Sequence, residues 1–355
     1  MADKYWYGDG DGDQGSNLGK WDYDDSPGYT SSNWRLCSDG SGCAKPADGD
    51  KIFIDNRAYY NTTDDRYQDI KDGMTGAETG TPNLALLRVA GNYDGNIGLA
   101  GEYLELEIHS GSNPQFIWEG AGVGYVMLSK GASADAICDL LIMNALGAYL
   151  YIKGKVNDAS YKAEITKLIN YAGNLNMATE ADADIIAPRE VICNGANAVI
   201  IIGTGCEGLK TGDTFKTNFN LVKGTITSDS PIGDCEGYAG TFNWGTADST
   251  PAADVDLTGL LTLWQDFTFN WRAHDTGTSE LYQFKAYGGK LDASSAINAD
   301  VPKQIGSGAG EISEIWPSAE VNLNSGLGNI SFGSGSKIAF YGGTLKPSYG
   351  QEISW

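Results

Sequence analysis

Histidine is almost missing from this chain: His109 and His274 are the only two in 355 residues. A centre built on several imidazoles therefore has too few to draw on. The six cysteines form no C-x-x-C pair and no Cys/His spacing of the zinc type. Cys37 and Cys43 lie close together in "RLCSDGSGCAKP", where one local disulfide is conceivable after exposure to an oxidising medium. Cys138, Cys193, Cys206 and Cys235 sit in apolar or Gly-rich stretches and read as buried thiols. No run of about 18 apolar residues is present, so no membrane-spanning helix is expected. The opening residues MADKYWYG lack the basic and apolar parts of a secretory signal, so synthesis in the cytoplasm is expected. Basic residues are also scarce. Lys and Arg total 24 against 46 Asp and Glu, a net charge of -22. Such a field repels phosphate backbones and anionic lipid, which argues against nucleic acid and membranes as partners.

Glycine and aromatics are abundant instead. The 48 glycines are about twice the usual share of roughly 7%, while the 10 prolines exclude a Pro-rich linker or collagen. Nine Trp and 19 Tyr exceed what a disordered chain carries, so a folded, turn-rich β body is expected. Length alone allows about two domains or one long repeat body.

Two textures divide the chain. Residues 1–80 are crowded with Trp, Tyr, Asp and Gly, and "KIFIDN" is their main apolar run. Residues 81–355 consist of short period-2 strands separated by Gly, Asn, Ser and Asp. In "YLELEIH", Leu104, Leu106 and Ile108 face one way, and Tyr103, Glu105, Glu107 and His109 face the other. "DFTFNWRAH" alternates Phe267, Phe269 and Trp271 with polar residues. A weak repeat joins "AYLYIKGKVNDAS", "NFNLVKGTITSDS", "YQFKAYGGKLDAS" and "KIAFYGGTLKPS": a strand, a Gly at 154, 224, 289 or 343, then Lys or Thr and an apolar residue. Short strands that turn corners at glycines predict an all-β, right-handed parallel β-helix, a solenoid whose coils bury their inner faces on one another. The alternative is a β-sandwich. The segment "SYKAEITKLINYAG", with Ile165, Leu168 and Ile169, is compatible with either a short helix or an amphipathic strand.

Asp9, Asp11 and Asp13 alternate in a glycine-rich run as calcium ligands do. In an EF-hand register, however, Gln14 stands where Gly is needed and Lys20 where a bidentate Glu belongs. A solvated turn explains the aspartates better, with calcium the candidate ion if a metal binds and no cofactor otherwise. The same region carries a second pattern: Tyr5, Trp6, Gly8, Trp21, Asn33, Trp34, Pro46, Gly49 and Asp50. It resembles the N-terminal segment of phage virion and bacterial surface β-helix proteins. The departures are Asp9 in place of a second Gly and the loop from Cys37 to Cys43.

The resemblance implies a Trp/Gly-rich cap over the first coil, with Trp6, Trp21 and Trp34 meeting the particle or a neighbouring subunit. It also implies a homotrimer that contacts the major capsid protein or other virion proteins. The function expected is a bacteriophage virion structural protein located in the particle, foremost a capsid decoration (cement) protein, and no enzyme. The alternatives are a tailspike, fibre or secreted polysaccharide depolymerase, and a bacterial surface adhesin. For the depolymerase, Glu105 and Glu107 are the candidate catalytic pair, because glycoside hydrolysis needs two carboxyls about 5 to 9.5 Å apart. Arg88 and Arg272 sit in no acidic-basic cluster that would mark a lyase. Outward aromatics such as Tyr103 or Trp264 are candidates for stacking on sugars.

Overall fold

The computed structural model of the chain describes residues 2–8, 21, 32–70, 84–107, 114–129, 136–155, 163–177, 188–203, 217–229, 232–245, 257–272, 279–293, 303–306, 312–323 and 330–346. Among these residues every regular element is a strand and none is a helix. Two compact units are present, Met1–Ala178 with Asp182–Ile186, and Ala187–Trp355 with Thr179–Ala181.

In the first unit, Asp3–Trp6 pairs antiparallel with Trp34–Leu36 and parallel with Lys51–Ile54. Apart from a small antiparallel hairpin, Tyr60–Asn61 on Arg66–Tyr67, and the Leu99–Glu102 bridge, the rungs then stack in parallel: Lys51–Ile54 on Leu86–Val89, on Gln115–Trp118, on the first half of Ala136–Lys155, on Ala163–Met177. Each partner is a later pass of the chain over the previous one. That arrangement is a parallel β-solenoid and excludes the sandwich, whose neighbouring strands run mostly antiparallel. The inward positions stack into an apolar column, Ile52, Leu87, Phe116, Leu141 and Leu168, all buried. The region before residue 80 runs straight into the solenoid, since Lys51–Ile54 is itself a rung beneath Leu86–Val89.

Residues 163–177 settle as a strand. The spacing of Ile165 and Leu168 mimics a helix because both side chains are buried while Thr166 and Lys167 between them are not, so strict alternation lapses within the strand.

The second unit repeats the plan. Glu190–Ile202, Thr217–Ser228, Ile232–Trp244 and Leu257–Trp271 stack in parallel. Above them the rungs split at a corner into shorter strands, Ser279–Ala286 with Lys290–Asp292, Ile312–Ile315 with Glu320–Asn322, and Lys337–Phe340 with Thr344–Lys346. Inside, Phe219 meets Phe242 edge-on, Phe242 stacks on Phe269, and Trp244 lies on Trp271. Outside, an amide row follows the stack: Asn270 donates to Asn243 (2.8 Å) and Asn243 to Thr227 (3.4 Å). The chain passes from Ile202 to Thr217 through residues 203–216, but from Ser228 to Ile232 through residues 229–231 alone.

Three of the four repeat glycines are corners: Gly224, Gly289 and Gly343 have φ of 122°, 66° and 86°. Gly154 is not a corner; it lies within Ala136–Lys155 opposite Leu128, and Gly147 (φ 78°) turns that rung.

Cys138, Cys193 and Cys235 are buried thiols, and burial pushes Cys138 and Cys193 up to about 12 and raises Cys235 further. Cys37 and Cys43 are thiols as well and form no disulfide with each other. Their side chains part company: Cys43 is buried, while Cys37 is half-buried with its sulfur 3.4 Å from the Arg57 guanidinium. Brief iodoacetamide treatment of the native protein near pH 8 should therefore label Cys37 and spare Cys138, Cys193 and Cys235, which react only after denaturation. Peptide mass spectrometry reads the difference, and native labelling of Cys235 would contradict the packing.

Candidate functional site

The cap is built around the three tryptophans of the N-terminal pattern. Trp6 and Trp34 are cross-strand partners, and Trp21 meets Trp34 edge-on at 4.8 Å. The Trp34 indole N–H donates to the Trp21 carbonyl at 2.7 Å. Their exposures are 0%, 2% and 0% for Trp6, Trp21 and Trp34. The side chains thus form the core of the cap, and any partner surface there belongs to other residues. Tyr5 in the strand Asp3–Trp6 and Tyr7 just beyond its end are half-buried, unlike Lys4 and Trp6, which are buried. Arg57 lies 4.2 Å over the Tyr5 ring and Arg35 4.9 Å over that of Tyr7.

Below the cap, Lys4 and Asp50 form a buried ion pair, Nζ to Oδ2 2.8 Å. Asp50 also accepts from the N–H of Ala2 (2.6 Å) and of Ala47 (3.0 Å). Burial opposes its charged form. The Lys4 ammonium and the two N–H donors outweigh that, and its carboxyl is held below the usual range.

Asp9, Asp11 and Asp13 lie outside the described residues, as do His109 and His274. No group of three or more His, Cys, Asp or Glu suited to a metal occurs among the described residues. Glu105 departs from its expected solvent position: it is 5% exposed. The strand Leu104–Glu107 is covered on both sides, for Tyr103, Leu104 and Leu106 are buried as well. Period-2 alternation predicts which residues share a face, and a second layer can still cover the outer one. Glu107 ends that strand and its side chain is outside the described residues. A carboxylate buried as Glu105 is cannot reach a polymeric substrate. Tyr103 is likewise no sugar platform, since Lys153 caps its ring at 3.9 Å. Arg88 pairs with Glu119 of the next rung at 2.7 Å.

Trp264, the other aromatic expected to stack on sugars, is on the surface, and it is one member of a column. Tyr238, Trp264, Tyr287, Trp316 and Tyr341 follow one another up the second unit with ring centroids 6.0, 4.8, 5.7 and 4.7 Å apart. Tyr287, Trp316 and Tyr341 stand just past the ends of their strands, and Tyr238 and Trp264 occupy the matching place within the longer strands Ile232–Trp244 and Leu257–Trp271. Interplanar angles open from 4° and 23° to 42° and 35° along the column. Tyr238, Trp264, Trp316 and Tyr341 are 42%, 36%, 36% and 57% exposed.

A polar row runs beside the rings. Glu236, Thr262, Lys285 and Glu314 are register partners on the four rungs from Ile232–Trp244 to Ile312–Ile315. The Trp264 indole donates to Glu236 and the Trp316 indole to Glu314, each at 3.0 Å. Lys285 reaches Glu314 at 3.3 Å. A hydrogen bond to Glu236 raises the Tyr238 hydroxyl pKa. The indole orientations are thereby fixed before any ligand arrives.

Sequence reading found one ring of the five. Parity was the available signal: Leu263 and Ile315 point inward, so Trp264 and Trp316 must point outward, whereas Trp271 shares inward parity with Phe269. Comparison of the chain with protein-family models, curated proteins and solved structures gives no match.

Proposed function

We infer that this protein is a structural component of a bacteriophage particle, foremost a capsid decoration protein that covers or stabilises the head. In this reading it works as a homotrimer against the major capsid protein. The observation that supports it is the outer face of the cap. In a chain of net charge -22, that face joins Tyr5 to Arg57 and Tyr7 to Arg35. Tyr and Arg are the residue types that dominate hot spots of protein interfaces. They sit here on a rigid platform of buried tryptophan.

The depolymerase alternative draws no support from Glu105, which is enclosed. The experiment is reconstitution. Capsids assembled without the protein are incubated with the purified chain and separated on a density gradient. Co-sedimentation is expected, and Arg35→Ala with Arg57→Ala should weaken it by roughly 10- to 100-fold, the range of two rim-to-core interface anchors. A strictly monomeric protein that leaves the capsids bare would overturn the assignment.

A further inference from the structure

We propose that the aromatic column of the second unit is a binding site for a neutral, linear polysaccharide. The column lies on one unit and one corner, and it runs along the direction in which the rungs stack, so a ligand that follows it must be extended. Centroid separations of 4.7 to 6.0 Å exceed the ~3.5–4.0 Å of carbon–carbon contact. Neighbouring rings are thus offset or tilted rather than pressed flat on one another, and the exposure of Tyr238, Trp264, Trp316 and Tyr341 leaves part of each open to solvent. Partly open π faces accept the C–H face of a sugar ring, and the tilt between Tyr287, Trp316 and Tyr341 opens them most at that end.

Size decides between a polymer and a protein. The exposures quoted for Tyr238, Trp264, Trp316 and Tyr341, on side chains of roughly 200 Å² each, leave on the order of 350 Å² of aromatic surface. That is the scale of a functional patch on a monomer, and its single-file width of one ring per rung suits a narrow ligand better than the broad face of ~800 Å² that each partner brings to a stable protein interface. A narrow ligand fits it.

Charge decides which polymer. The row beside the rings offers the carboxylates of Glu236 and Glu314, the Thr262 hydroxyl, and one ammonium, Lys285, already engaged with Glu314. Carboxylates accept from sugar hydroxyls and repel uronate or sulfate groups, as does the net charge of the chain. The indole N–H groups are committed to those carboxylates, so the rings are held in place without loss of freedom on binding.

Affinity electrophoresis of the full-length protein tests the site, in native gels cast with hydroxyethylcellulose, glucomannan or dextran, and with alginate or hyaluronate as anionic counterparts. Retardation by at least one neutral polymer and by neither anionic one is expected. Trp264→Ala and Trp316→Ala should each weaken it roughly tenfold, and Trp→Phe at either position should restore part of the loss. Both side chains are on the surface, so circular dichroism and the melting temperature should stay near wild type; Tyr341→Ala serves as an independent third variant. Indifference to all three neutral polymers, stronger retardation by alginate, or retardation that survives the double Trp→Ala change would each overturn the site. Loss of self-association in the Trp variants by sedimentation velocity, without any polysaccharide effect, would overturn it in favour of contact between copies. None of these outcomes depends on the particle assignment.

Discussion

Asp50→Ala is expected to destabilise the N-terminal unit by about 3–5 kcal/mol, the penalty for stripping the partner from a buried charge. Lys4 would be left in a cavity with a single carbonyl acceptor, that of Lys45 at 3.0 Å. The N–H groups of Ala2 and Ala47, which now donate to Asp50, would lose their acceptor as well. Those contacts fasten the first strand to the turn before Lys51–Ile54, so the loss should be read as early unfolding of the cap. Amide hydrogen exchange of Asp3–Trp6 and Trp34–Leu36 along a urea titration is the measurement. The paired change Lys4→Met with Asp50→Leu should recover much of the loss, because removing both charges leaves none unpaired. A double variant no better than Asp50→Ala would show that packing, not charge, holds the cap.

The pH dependence follows with a definite sign. The folded carboxyl of Asp50 titrates below its unfolded value. Its contribution is therefore complete above the unfolded pKa of about 3.9 and is lost as pH falls through the lower, folded value. The cap should loosen on acidification into that range, and Asp50→Asn should remove this part of the acid sensitivity.

Gly240→Ala should destabilise the second unit by about 2–4 kcal/mol. Two causes add. The backbone there is left-handed, φ 96°, which costs an L-residue roughly 1–2 kcal/mol. A Cβ would also stand 2.2 Å from the carbonyl oxygen of Gly224 on the rung below, and a backbone carbonyl in a stacked corner has no room to retreat. Gly147 is the contrast. It has the same hand, φ 78°, but nothing within 4 Å of its would-be Cβ, so Gly147→Ala should cost only the conformational part, about 1 kcal/mol. Denaturation of the two variants checks the pair, and equal losses would mean that close approach between rungs is not what selects glycine.

The solenoid was legible because its cause is local. Val321 and Leu323, or Phe267, Phe269 and Trp271, alternate with polar residues, and glycines such as Gly224 and Gly289 turn the corners. The alternation shows which residues share a face, and the turns show that each strand is short. What covers a face is not local, and there the reading failed. Glu105 has the parity of a solvent position, yet the outer side of its strand is enclosed. The tryptophans of the cap look like a contact surface in one dimension and prove to be packed on one another. The column from Tyr238 to Tyr341 was missed for a related reason. Its members are distant in sequence, and only the register between rungs brings them into line.

The uneven connections between rungs carry an engineering consequence. Thr217–Ser228 is paired on both sides, although its link to one neighbour takes residues 203–216 and to the other only residues 229–231. Stacking is thus indifferent to how much chain is spent in between, and closure entropy grows only slowly with length. A foreign peptide spliced between Ile202 and Thr217 should therefore leave the register of Glu190–Ile202 on Thr217–Ser228 unchanged, which marks this connection for grafts.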